Sequence, residues 1–97
     1  MIEGVELLKG AEADLFAAFE KLLESGRCQD FYQRIDQKLD LIRTFPGIGG
    51  RFKRDHRRVL ELKYSYGIYY LVYNKRIFVS AILPLKIDPE TVRKRLT

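Results

Sequence analysis

The longest run of β-branched and aromatic residues in the chain, Arg57 to Leu83, is interrupted only twice and reads as a meander of three strands. Val59–Lys63, Tyr66–Tyr73 and Arg76–Leu83 are separated by Tyr64-Ser65 and Asn74-Lys75. Neither break has room for a crossover helix, so the strands are predicted to pair as antiparallel hairpins. In the middle strand Tyr66, Ile68, Tyr70 and Val72 share one face and Gly67, Tyr69, Leu71 and Tyr73 the other. Neither face is polar, which predicts cover on both. One cover is expected from the chain's own helices, the other from its C-terminal tail or from a partner.

Upstream, Glu3–Leu8 alternates weakly around Val5 and Leu7 and reads as a short first strand ended by Gly10. From Ala11 the apolar positions Leu15, Ala18, Phe19 and Leu22 fall at helical spacing, and Phe16 and Leu23 widen the stripe. Ser25-Gly26 stops that helix. A second helix is expected from Asp30, a candidate N-cap, with Phe31, Ile35, Leu39 and Ile42 on one face and Pro46 beyond its end. The link between the helices is short, so they form an antiparallel hairpin against one face of the sheet.

Pro46-Gly47-Ile48-Gly49-Gly50 is too rich in glycine for a helix or a strand and is expected to be a mobile connection. A basic run, Arg51 to Arg58, follows it. After the meander, Asp88-Pro89-Glu90 combines an N-cap, a proline at the first helical position and an acid at the positive dipole end. The helix that follows, Thr91–Leu96, is too short to be stable alone and must dock, which Val92 and Leu96 allow by forming one apolar edge.

At 97 residues the chain has room for a single domain, residues 1–97, with one two-layer core. The only cysteine, Cys28, excludes an internal disulfide and supplies no metal-ligand set, so neither metal nor cofactor is expected. No stretch approaches the roughly 20 apolar residues of a membrane span, and the N-terminus lacks the order of a signal peptide, which points to the cytoplasm. The net charge of +5 is unevenly placed. Residues 1–50 carry six Lys/Arg against nine Asp/Glu, and residues 51–97 twelve against four. The basic half suits an anionic partner, whether RNA, DNA or an acidic protein segment.

The order and spacing of several pieces carry a resemblance. Ala11-x-x-Asp14-Leu15 opens the first helix, and Leu41-x-x-x-Phe45-Pro46-Gly47 closes the second. Arg58-Val59-Leu60-Glu61-Leu62 starts the meander, Tyr66-Gly67-Ile68-Tyr69-Tyr70 supplies its aromatic strand, and Ile82-Leu83 followed by Asp88-Pro89 ends it. Over nearly its whole length the chain resembles the RelE/ParE superfamily of toxins from bacterial toxin–antitoxin pairs. The resemblance implies an α+β fold in which a helical hairpin packs on one face of a four-stranded, antiparallel-rich sheet, in the order β-α-α-β-β-β-α. It also implies a plasmid-stabilisation type of toxin held in a hetero-oligomer by a cognate antitoxin.

RelE-like members cut mRNA on the ribosome, whereas ParE-like members poison DNA gyrase. Cleavage needs a base near the 2′-OH, cations for the phosphate and an acid for the leaving oxygen. The candidates for such chemistry are Lys53, Arg54, His56, Arg57, Arg58 and Lys86. RelE-like enzymes tend to carry an arginine and a tyrosine or histidine after the last strand, and ParE-like proteins often a His-Arg pair. Here Pro84-Leu85-Lys86-Ile87 stands instead, and no tyrosine follows Tyr73. The favoured expectation is therefore a ParE-like gyrase inhibitor. A ribosome-dependent endoribonuclease and a degenerate member that only binds its antitoxin are the alternatives. The expected target surface is Arg54, Arg57, Arg58, Lys86, Arg93, Lys94 and Arg95, and the expected antitoxin surface is Leu15, Phe16, Phe19, Tyr64, Tyr66 and Tyr69.

Overall fold

A computed structural model describes residues 2–96. The strand read at the N-terminus is β1, Gly4–Leu7, and the two helices are α1, Lys9–Leu22, and α2, Cys28–Thr44. Strands β2, Gly50–Lys53, β3, His56–Glu61, β4, Tyr66–Tyr73, and β5, Arg76–Pro84, precede a short helix α3, Pro89–Arg95. The sheet runs β1-β5-β4-β3-β2, with β1 parallel to β5 and the other neighbours antiparallel.

Five strands stand where four were expected. The extra one, β2, begins inside the glycine-rich connection and takes up the start of the basic run. Its backbone pairs Gly50 with Arg58 and Arg51 with Arg57, then shifts register before Lys53 meets His56. A left-handed Arg54, φ 49°, turns the chain. An edge strand needs only one apolar contact, and Phe52 supplies it, so no hydrophobic alternation announces it. Pairing with β2 also draws the start of β3 back to His56, ahead of the predicted Val59, and β3 ends at Glu61 rather than Lys63.

The connection before β2 is fixed, which corrects the expectation of mobility. The Tyr70 hydroxyl donates to the Pro46 carbonyl at 2.7 Å and accepts from the Gly49 N–H at 3.0 Å. Arg57 adds a 2.7 Å bond from Nη1 to the Gly49 carbonyl. Gly49 is needed here because a Cβ would lie 2.8 Å from the Tyr70 hydroxyl and 3.0 Å from the Arg58 carbonyl.

Both helices start earlier than their patterns indicate. α1 follows an extended Leu8 with no side-chain cap and includes Gly10. α2 starts at Cys28, so Asp30 lies in its first turn and its carboxylate is engaged across the fold by Lys63 at 2.7 Å and the Tyr64 hydroxyl at 2.6 Å. α3 agrees with its sequence signature: Asp88 accepts from the Glu90 N–H at 3.1 Å and Pro89 opens the helix.

The meander is covered on both faces. Ala11, Ala18, Phe31, Ile35 and Ile42 of the hairpin pack on Val59, Tyr66, Ile68, Tyr70, Ile77, Val79 and Ile82. On the opposite face the C-terminal segment provides the cover, as Val92 and Leu96 join Tyr69 and Ala81, flanked by Phe52, Leu83 and Ile87. A bulge in β5 pairs Tyr69 with Ala81 but Tyr70 with Val79, leaving Ser80 without a partner in the register. Burial of Val92 and Leu96 contributes about 1.5–3 kcal/mol each, enough to hold a seven-residue helix that could not persist alone.

Candidate functional site

Side chains of a strand alternate in direction, so the basic run is divided between the two sides of the sheet. Arg57, Val59 and Glu61 face the helical hairpin: Val59 lies in the main core and the buried Glu61 accepts from Arg34 at 3.4 Å and from the Tyr64 N–H at 2.9 Å. His56 and Arg58 face the α3 side. There the Arg58 guanidinium lies 5.2 Å from the centre of the Phe52 ring and that of Arg93 lies 5.4 Å from it. Lys53 joins them by donating to the Arg93 carbonyl at 2.9 Å.

His56 Nε2 sits 3.0 Å from the hydroxyl of Ser80, at the bulge. Burial is the main reason its pKa lies below 6.5, with Lys53 adding to the effect and Asp55 opposing it. The imidazole is therefore neutral at pH 7. Arg54 projects from the hairpin turn, exposed. Arg51, Arg54, Asp55, His56, Arg57 and Val72 line a pocket of about 200 Å³ at the hairpin tip.

The remaining expected target residues lie elsewhere. Lys86 follows β5 at the end where Pro84 pairs with Tyr66 and Tyr66 with Glu61, the opposite end of β3 from His56. Five residues of strand separate those ends, roughly 16 Å. Arg95 is held by Asp14 through two bonds of 3.0 and 2.8 Å, and Arg93 by Glu90 at 3.1 Å as well as by Phe52. Lys94 is exposed. The cationic tail expected beside Lys86 is thus tied largely into the protein's own surface.

Of the residues expected to meet an antitoxin, Phe16 is 65% exposed, and Leu15 and Phe19 are partly buried. Tyr64 is half-buried on Asp30. Tyr66 and Tyr69 are placed differently from a surface reading: their rings are 8% and 1% exposed, because the hairpin covers the first and α3 the second. Sequence reasoning missed Tyr32, half-exposed beside Phe19 with ring centres 6.1 Å apart, and gave no role to Leu23, which is 70% exposed. Leu23 had a signal, since it lies outside the stripe one packing face needs. Tyr32 had none.

Nucleolytic chemistry requires its base, cations and acid to converge on one phosphate. Arg54, His56 and Arg57 border the pocket at the hairpin tip, but the Arg57 guanidinium is held by the Gly49 carbonyl, Arg58 is stacked on Phe52, and Lys86 is at the far end of the strands. The arrangement can present positive charge to an anionic surface. Among the described residues no cluster of His, Cys, Asp and Glu could hold a metal, and no helix is long and apolar enough to cross a membrane.

Among solved structures the chain is similar to a chain of the chromosomal ParDE TA system from P. aeruginosa, with a TM-score of 0.64 and 13% identity over 86% of this chain and 96% of that one. No family model matches the sequence. No curated protein matches it either. The likeness shows the fold, three helices and a five-stranded mixed sheet, shared with that ParDE chain.

Proposed function

We propose that this chain is the toxin of a type II toxin–antitoxin pair, that it inhibits DNA gyrase inside the cell, and that a cognate antitoxin neutralises it in a hetero-oligomer. The observation that carries the reading is the fold likeness to a chain of a ParDE system across 86% of the sequence. Gyrase is favoured over ribosome-bound mRNA because, of the candidate cleavage residues, Arg57 is bound to the Gly49 carbonyl, Arg58 is stacked on Phe52, and Lys86 lies at the opposite end of the strands from His56. The target surface is the basic β2–β3 hairpin, with Arg54 and Arg58 as its leading cations. The antitoxin surface is the outer side of α1, where Phe16 and Leu23 are exposed beside Tyr32.

Two assays on the purified chain and one of induced expression in cells test this. Inhibition of gyrase-catalysed supercoiling, with no cleavage of ribosome-bound mRNA, is the expected result. Robust cleavage of the mRNA overturns the gyrase reading, and failure of induced expression to arrest growth overturns the toxin reading.

A further inference from the structure

A groove runs along the seam between α1 and the chain that follows β5. Two adjoining pockets of about 260 and 180 Å³ form it, and Lys21, Tyr66, Pro84 and Lys86 line both. Leu22, Ala17, Leu83 and Ile87 make its walls largely apolar. Two lysines, Lys21 and Lys86, border this apolar floor, and among the described residues no hydrogen bond or ion pair engages either ammonium group. The one acid in the lining, Asp14, is neutralised by Arg95 and also accepts the Ile82 N–H at 3.0 Å.

The Tyr66 hydroxyl likewise has no hydrogen-bond partner among the described residues. Burial, and then the nearby Asp14, raise its pKa above 10, so it stays protonated and able to donate. Three donors therefore border an apolar trough with no free acceptor charge among them. Such a lining complements a carboxylate carried between apolar side chains.

We propose that this groove binds a segment of a protein partner in which Asp or Glu is flanked by apolar residues, the carboxylate meeting Lys21, Lys86 and the Tyr66 hydroxyl. Identifying that partner with the antitoxin rests on the toxin reading above; the groove's chemistry does not. The segment adds a second contact to the one on the outer side of α1. Its apolar residues cover Leu22 and Ile87, and its charge offsets two cations that have no partner among the described residues.

The test uses the full chain, labelled with ¹⁵N, and a short capped peptide alternating leucine and glutamate, with glutamine and lysine counterparts. The glutamate peptide is expected to shift amides of residues 17–22 and 84–87 and to bind about tenfold more tightly than the glutamine peptide. The K21E/K86E variant, altered only at exposed positions, is expected to reverse the preference toward the lysine peptide, a gain that simple loss of folding cannot produce. Equal binding of glutamate and glutamine peptides, shifts confined to other surfaces, or binding of dodecanoate without any peptide overturns the proposal. Growth arrest is read separately: if the wild-type chain arrests no growth while the peptide preference holds, the toxin reading fails and the groove stands.

Discussion

The carboxylate of Asp14 on α1 receives two bonds from the guanidinium of Arg95 on α3, at 3.0 and 2.8 Å, joining elements that cover opposite faces of the sheet. The same carboxylate accepts the backbone N–H of Ile82, whose side chain is fully buried. Gly10 belongs to this contact, since a Cβ there would sit 2.6 Å from Arg95 Nη2.

Asp14→Ala should cost about 2 kcal/mol, because it strands a strand N–H as well as removing the pair. In a domain of this size that is a fall of about 10 °C in Tm. Arg95→Ala, which removes only a partly exposed partner, should cost less than about 1 kcal/mol. Thermal unfolding of the two variants checks the ranking, and equal losses would show that the Ile82 bond contributes nothing.

Tyr70→Phe removes the hydroxyl that bridges Pro46 and Gly49. The expected cost is about 1–2 kcal/mol. Hydrogen exchange should quicken at Gly49 and neighbouring amides before the rest of β4 responds. Unchanged protection there would mean that Arg57 alone secures the connection.

Arg57 and Arg54 should separate in their effects. Arg57→Ala deletes the bond to the Gly49 carbonyl and should lower stability by about 1 kcal/mol. Arg54 has no partner among the described residues, so Arg54→Ala should leave stability within about 0.5 kcal/mol while weakening gyrase inhibition. Urea denaturation together with supercoiling assays distinguishes the two roles.

Asp30 should be visible in acid. Hydrogen bonding to Lys63, then to Tyr64, lowers its pKa from 3.8 to about 2. A group depressed in the folded state contributes stability above its unfolded pKa and loses it as pH falls through the folded one. The wild type should therefore lose stability between about pH 4 and pH 2. Asp30→Asn should be flatter across that window in urea titrations. Parallel curves would place the acid sensitivity elsewhere.

His56 is predicted to titrate below 6.5 by NMR, because burial against Ser80 disfavours the imidazolium. Its neutral form stabilises the fold above pH 6.5, and that contribution declines as the pH falls below it. His56→Gln should remove this dependence. A titration midpoint above 6.5 would mean that Asp55 outweighs burial.

The sequence by itself determined the elements whose burial repeats with a local period. The helical hairpin, the three-strand meander, the capped α3 and the use of Val92 and Leu96 against the sheet were all legible, because spacing along the chain dictates which side of an element can be buried. It also placed a dense positive charge in residues 51–58. Only the tertiary structure decided what that charge does. β2 has one apolar residue and glycine at its start, so its existence depends on the backbone groups of β3 beside it. The connection before it is held by Tyr70, and the tail's Arg95 by Asp14, across long separations in sequence. Alternation then sends Arg57 to one face and His56 and Arg58 to the other. A side chain's partners come from whatever segment folds against it, and no local pattern records that segment's identity.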